Sequence, residues 1–202
     1  MSASVMGSLS LSDLFSSGDG SWKPVQAAQV LIFRSSPENK KTTIVDRVGP
    51  LEQTYALFTV SESTVPGTDI QLSRVMASDG FNLQQLIIGT AKYHNVSGDV
   101  DLSLHGQPLA MKQRMLSESY NFVVPSIGRL KWKQEGSTTL ELVDGAGMRL
   151  ARFKVGKRME VLVPPSEYLL DVMVLSGMAA ARQLKVGQVA SGVGDFVGAI
   201  SG

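Results

Sequence analysis

From Leu169 to Ala181 the chain carries a single charge, Asp171, and that stretch constrains the fold more than any other. Pro164 and Pro165 precede it; proline has no amide hydrogen and cannot continue a β-ladder, so a strand ends there. Ser166 then offers a hydroxyl to cap a helix, and Glu167 puts negative charge in the first turn, where the helix dipole favours it. The residues that follow, through Arg182, predict a helix that is apolar nearly all round. Such a helix is buried on every side or lies in a membrane. A membrane span needs about 20 predominantly apolar residues. This stretch is shorter and contains Asp171, so a buried helix is expected and no transmembrane span.

What precedes it reads as strands throughout. Twelve segments, 28–34, 42–48, 54–60, 69–76, 84–92, 100–104, 109–115, 120–124, 128–134, 138–144, 148–155 and 158–163, alternate or run apolar between turn residues. The breaks carry Asp79-Gly80, Ser97-Gly98, His105-Gly106, Glu135-Gly136 and Asp144-Gly145. Asp144-Gly145 predicts a tight hairpin in which Gly145 supplies the positive φ. Alternation is clearest over 128–134, where Arg129, Lys131 and Lys133 share one face and Leu130 and Trp132 the other. Leu140 and Leu142 repeat the pattern, so these strands have one wet and one dry face, as antiparallel sheets commonly do. No βαβ periodicity occurs, and short strands at this spacing indicate a sandwich or a closed barrel.

The helix decides between the two. A sandwich core is about 10 Å thick and already filled by both sheets, whereas a barrel of about a dozen strands has an interior that must be filled. The expected fold is therefore mainly β: a closed antiparallel barrel of about twelve strands around a buried hydrophobic C-terminal helix. At this point the chain resembles the superfamily of Tubby C-terminal domains, phospholipid scramblases and LURP-one-related proteins, in particular its fungal-type members. The resemblance rests on Tyr120-Asn121-Phe122-Val123-Val124-Pro125, on Gly128-Arg129-Leu130-Lys131-Trp132-Lys133, on Leu140-Glu141-Leu142-Val143-Asp144, on Arg149-Leu150-Ala151-Arg152-Phe153 and on the closing helix. It is best over residues 107–184. It implies the same barrel and, because Tubby domains recognise phosphoinositide headgroups, a lipid-binding role. No Tubby headgroup motif matches, so no site residue carries over. Lipid scrambling is disfavoured, since neither a cysteine cluster for palmitoylation nor a calcium-binding segment is present.

The composition of the 202 residues narrows the chemistry. With 43% hydrophobic residues the chain can bury a core without staples. No cysteine occurs, which excludes a disulfide framework, a thiolate metal site and a cysteine nucleophile. A net charge of +1 gives no global attraction to nucleic acid or membrane. Residues 1–25 form a serine-rich stretch without the basic start and apolar core of a secretory signal, and are expected as a mobile tail. Residues 26–185 are the expected barrel domain and 186–202 a glycine-rich tail. A cytoplasmic location follows as the default, with Asn95-Val96-Ser97 a chance sequon.

No catalytic, metal-binding or cofactor-binding constellation emerges. Neither G-x-S-x-G nor H-E-x-x-H occurs. His94 and His105 read as solvated turn histidines. Asp99 and Asp101 lack the further ligands of a metal loop. Asp171 sits within the first two helical turns and reads as a group near the barrel mouth.

The remaining signal is charge distribution. From Lys112 to Arg158 the sequence holds ten basic and four acidic residues, a net of +6, while the rest holds nine and fourteen, a net of −5. Strands carrying Arg129, Lys131 and Lys133, and Arg152, Lys154, Lys157 and Arg158, would build one basic surface. The expected headgroup-binding residues are Arg129, Lys131, Lys133, Lys154, Lys157 and Arg158. The bland alternative is a solvated outer face, since lysines on strands also resist edge pairing. Trp132 alternates with cations but on the dry face, so it cannot stack bases, and nucleic acid is not an expected partner. The expectation is thus a non-enzymatic peripheral membrane or phosphoinositide-binding module without cofactor, on an anionic phospholipid partner. Its rival is a soluble protein-interaction or scaffold barrel, and a hydrolase or small-ligand barrel would need an open interior.

Overall fold

The computed structural model of the chain describes residues 26–63, 67–76, 84–94, 97–114 and 119–190, with side chains to residue 184. Residues 1–25 and 191–202, the Asp79-Gly80 turn, Asn95 of the sequon and Met115 lie outside the described residues. The first six strands are β1 (Gln29–Ser35), β2 (Thr42–Val48), β3 (Thr54–Glu62), β4 (Ile70–Met76), β5 (Gln84–Tyr93) and β6 (Val100–Leu104). Then come β7 (Gln107–Arg114), β8 (Ser119–Val124), β9 (Gly128–Glu135), β10 (Thr139–Asp144), β11 (Arg149–Lys154), β12 (Arg158–Val161) and the helix α1 (Glu167–Ala190). Each strand pairs antiparallel with its sequence neighbours, and β1 pairs with β12, so the sheet is a closed meander. Closure leaves no free edge.

Strand β7 reaches back through Pro108, which the sequence pattern left out. Pro108 faces Ser103 of β6, while pairing with β8 starts only at Lys112, so no ladder on that side needs its amide. The turn before it is a two-residue hairpin in which His105 (φ 49°) and Gly106 (φ 76°) both take positive φ, the type I′ pattern. The β10–β11 connection departs from expectation. Positive φ falls on Gly147 (87°) and not on Gly145, because the turn is longer than two residues. The Asp144 carboxylate organises it, with Oδ1 accepting from the amides of Ala146 (2.9 Å) and Met148 (2.8 Å).

Helix α1 begins as its sequence directs: Ser166 Oγ accepts from the amide of Leu169 at 3.1 Å, an N-cap bond. It runs beyond Arg182 to Ala190. It enters at the end of the barrel where β12 finishes, close to the β6–β7 turn, and traverses the interior. At the other end Gln183 Nε2 donates to the carbonyl of Gly98, and the Arg182 guanidinium lies over the Tyr93 ring at 4.5 Å. Every residue from Leu170 to Gly177 is buried. The inward side chains of the strands surround it, among them Leu31, Phe58, Leu104, Met111, Leu130, Leu140 and Phe153.

Two glycines set how closely the helix approaches the wall. A Cβ on Gly177 would stand 3.0 Å from Met159 Cε and 3.1 Å from Trp132 Cζ2, so the glycine makes room for the indole. Trp132 Nε1 in turn donates to Ser176 Oγ at 2.9 Å, and Ser176 Oγ donates to the carbonyl of Val172 at 2.6 Å. Across the barrel, a Cβ on Gly89 of β5 would stand 2.9 Å from both Leu104 Cδ1 and Leu175 Cδ2 and 3.0 Å from the Ser103 carbonyl. Substitution of Gly89 by alanine is therefore expected to destabilise the protein by about 1–3 kcal/mol through overpacking. A lowered urea midpoint with unchanged m-value is the measurement that checks it.

Candidate anion-binding site

On β9 the outward positions are Arg129, Lys131 and Lys133, while Leu130 and Trp132 are 1% and 0% exposed inside. Trp132 thus offers no ring to a base. Register places the cations among defined neighbours. Arg129 lies beside Val123 of β8, Lys131 between Asn121 and Val143, and Lys133 between Ser119 and Glu141. One row continues from Lys133 through Glu141 to Arg152 and Glu160; the next runs from Glu135 through Thr139 and Lys154 to Arg158.

The six expected headgroup residues are split by this geometry. Lys154 and Arg158 are brought together, lining a groove of about 430 Å³ with Thr138, Thr139, Arg152 and Glu160. Arg152 was left out of the expected set, although strand parity alone places it on the face of Lys154. Lys157 is exposed in the β11–β12 turn beside that groove. Lys133 is two strands from Arg152, with Glu141 between them. Arg129 is at the other end of β9, about 20 Å along the strand from the level of Lys154 at 3.3 Å per residue.

Carboxylates interrupt the cations. Arg158 Nη2 is 3.2 Å from Glu160 Oε1, and Arg149 Nε is 3.4 Å from Glu141 Oε2. Glu141 faces outward by parity yet is only 6% exposed. Burial pushes its carboxyl above the usual glutamate range and nearby Glu135 adds to this, against the lowering effect of Arg149 and Arg152. Beyond β12, Arg158 stands next to Ile32, whose other neighbour Asp46 is neutralised by Arg34 at 2.5 Å.

A second cluster of charge lies at the helix-entry end, where the sequence showed only isolated residues. Asp171 lies near this mouth and is buried: its side chain is 2% exposed, with Arg74 Nη2 at 2.5 Å from Oδ1 and His105 Nε2 at 2.8 Å from Oδ2. Arg74 also reaches Glu167 at 3.1 Å. His105 is therefore paired rather than simply solvated. Nothing in sequence spacing joins residues 74, 105 and 171; the lone charge in an apolar helix was the available signal. His94, at the opposite end, is within 2.7 Å of Asp101. Asp99 accepts from Lys112 at 2.9 Å, which holds its carboxyl below the usual range. Among the described residues no group of three or more His, Cys, Asp or Glu is arranged to hold a metal, and no helix is long and apolar enough to cross a membrane.

Comparison of the chain with family models, curated proteins and solved structures gives no match in any of the three.

Two variants probe these clusters. Asp171→Ala is expected to cost about 1–3 kcal/mol, since Arg74 and His105 lose their shared acceptor while Arg74 keeps Glu167; thermal and urea unfolding measure it. Glu141→Gln is expected to do the opposite at neutral pH. With a raised native pKa the unfolded chain releases its proton first. Wild-type stability therefore falls as pH climbs from about 4.3, the ordinary glutamate value, to the higher native one. The glutamine variant lacks that slope and is the more stable protein at pH 7, as urea midpoints across the range will show.

Proposed function

We propose that the chain is a Tubby-like, non-enzymatic module that binds anionic phospholipid headgroups through the outer face of β9–β12, at the periphery of a membrane. The observation that carries this reading is the groove in which Arg152, Lys154 and Arg158 converge with two threonine hydroxyls against one carboxylate, Glu160. Arginine forks and lysine ammonium groups are the usual partners of phosphate oxygens. The twelve-strand barrel closed around a C-terminal helix is the architecture that the resemblance implies, which supports the superfamily reading. The interior that a small-ligand or hydrolytic barrel would use is occupied by the side chains of α1, which supports a role without catalysis.

Flotation with vesicles tests the proposal. Binding is expected to phosphatidylcholine vesicles doped with phosphoinositide or phosphatidylserine, weakening as salt is raised. At about 1 kcal/mol per basic residue near an anionic surface, Lys154→Glu with Arg158→Glu lowers affinity by about thirtyfold or more. A soluble inositol phosphate competes if the headgroup itself is the ligand. Equal flotation with neutral and anionic vesicles, or full binding by the double variant, would refute the reading.

A further inference from the structure

The groove on β10–β12 holds more than cations. Arg152, Lys154 and Arg158 line it together with the Thr138 and Thr139 hydroxyls, and the same wall carries one carboxylate, Glu160. Register fixes its place. Glu160 stands across the β11–β12 ladder from Arg152, and Arg158, two residues earlier on β12, stands across from Lys154. Alternate residues of a strand share a face, so all four charged side chains leave the sheet on one side. Arg158 Nη2 is 3.2 Å from Glu160 Oε1, and the glutamate side chain is still 34% exposed. An ionised carboxylate has about four lone-pair sites, so this one contact leaves capacity for a further donor. Arg152 and Lys154 are exposed and form no ion pair among the described residues.

Glu160 decides which anion the groove takes. A ligand made only of phosphates and hydroxyls, such as a polyphosphorylated inositol ring, meets repulsion from the carboxylate. Repelling the wrong ligand contributes to specificity as much as attracting the right one. Three cations beside one anion complement the reverse pattern, two anionic groups and one ammonium on a small frame. Phosphoserine has that pattern: a phosphate, a carboxylate and a primary amine lie within a few bonds of one another. Guanidinium and ammonium groups suit its phosphate and carboxylate oxygens.

Resting on the headgroup reading above and narrowing it, we propose that the groove selects the phosphoserine headgroup, with phosphate and carboxylate on Arg152, Lys154 and Arg158 and the ammonium on Glu160. Glu160 is then the residue that determines specificity.

The test compares the full chain on phosphatidylcholine vesicles doped, at equal mole fraction, with phosphatidylserine or phosphatidylglycerol. The two lipids have the same net charge, and the second lacks both ammonium and carboxylate. Phosphatidylserine is expected to bind about tenfold more tightly, the order of one charge-assisted hydrogen bond. Glu160→Gln, which keeps the shape of a half-exposed side chain, removes that preference. It also strengthens binding to phosphatidylglycerol about fivefold, because a negative charge has left the groove. Loss of one affinity with gain of the other is a result that misfolding does not produce. Calorimetric titration with glycerophosphoserine, the headgroup without its chains, identifies the source. Weaker binding than to vesicles assigns the lipid, and equally tight binding assigns a soluble phosphoserine compound to the same groove. Equal binding of the two lipids by the wild-type chain overturns the proposal, as does a serine preference that survives Glu160→Gln. Phosphoinositide vesicles of matched surface charge that bind as well as phosphatidylserine overturn it too. Absence of binding to any anionic vesicle refutes the headgroup reading and this one with it, whereas the other failures refute this one alone.

Discussion

The barrel and its helix each bury what the other cannot leave in water. Twelve strands closed into a ring enclose a space that would otherwise be a cavity. The helix, buried on all sides from Leu170 to Gly177, has no wet face to offer. Burying side chains such as Leu170, Val172, Met173, Val174 and Leu175 contributes about 1.5–3 kcal/mol apiece. The inward residues of nearly every strand gain in the same way. Close approach is regulated by removing side chains: Gly89 and Gly177 are the points where helix and wall come nearest.

Apolar packing alone would let such a helix turn or slide, since it has little preference for one face. The polar groups within it remove that freedom. Ser176 accepts the Trp132 indole hydrogen from β9, and Asp171 receives Arg74 from β4 and His105 from the β6–β7 turn. Five residues of α-helix rotate by about 500°, so these two anchors point to well-separated sides and sit about 7.5 Å apart along the axis. Both of these helix side chains have partners from the barrel wall, and leaving either unmet would cost its desolvation. Rotation and depth are thereby specified together.

The outer surface divides by strand. Cations dominate β9–β12, but Glu141 and Glu160 interleave with them, and Arg152, Lys154 and Arg158 share their groove with Glu160.

The sequence by itself determined the elements and the class of fold. Strand period, turn glycines, the double proline, Ser166 and an all-apolar helix are local signals, each set by backbone sterics or by a side chain within a few residues. They sufficed for about twelve strands in a closed antiparallel barrel and for the inward placement of Trp132, Leu130, Leu140 and Leu142. Where local rules compete, as at Pro108 and at the turn after Asp144, the pattern misplaced a boundary or a glycine, because pairing on the neighbouring strand and a side-chain cap decide those details. Only the tertiary structure decided which charges meet. Arg129 and Lys154 belong to the same basic run yet stand at opposite ends of the wall; Arg74, His105 and Asp171 are distant in sequence yet share hydrogen bonds. Electrostatics acts through space, and the register of a closed sheet, which no single segment encodes, is what converts positions in a chain into distances.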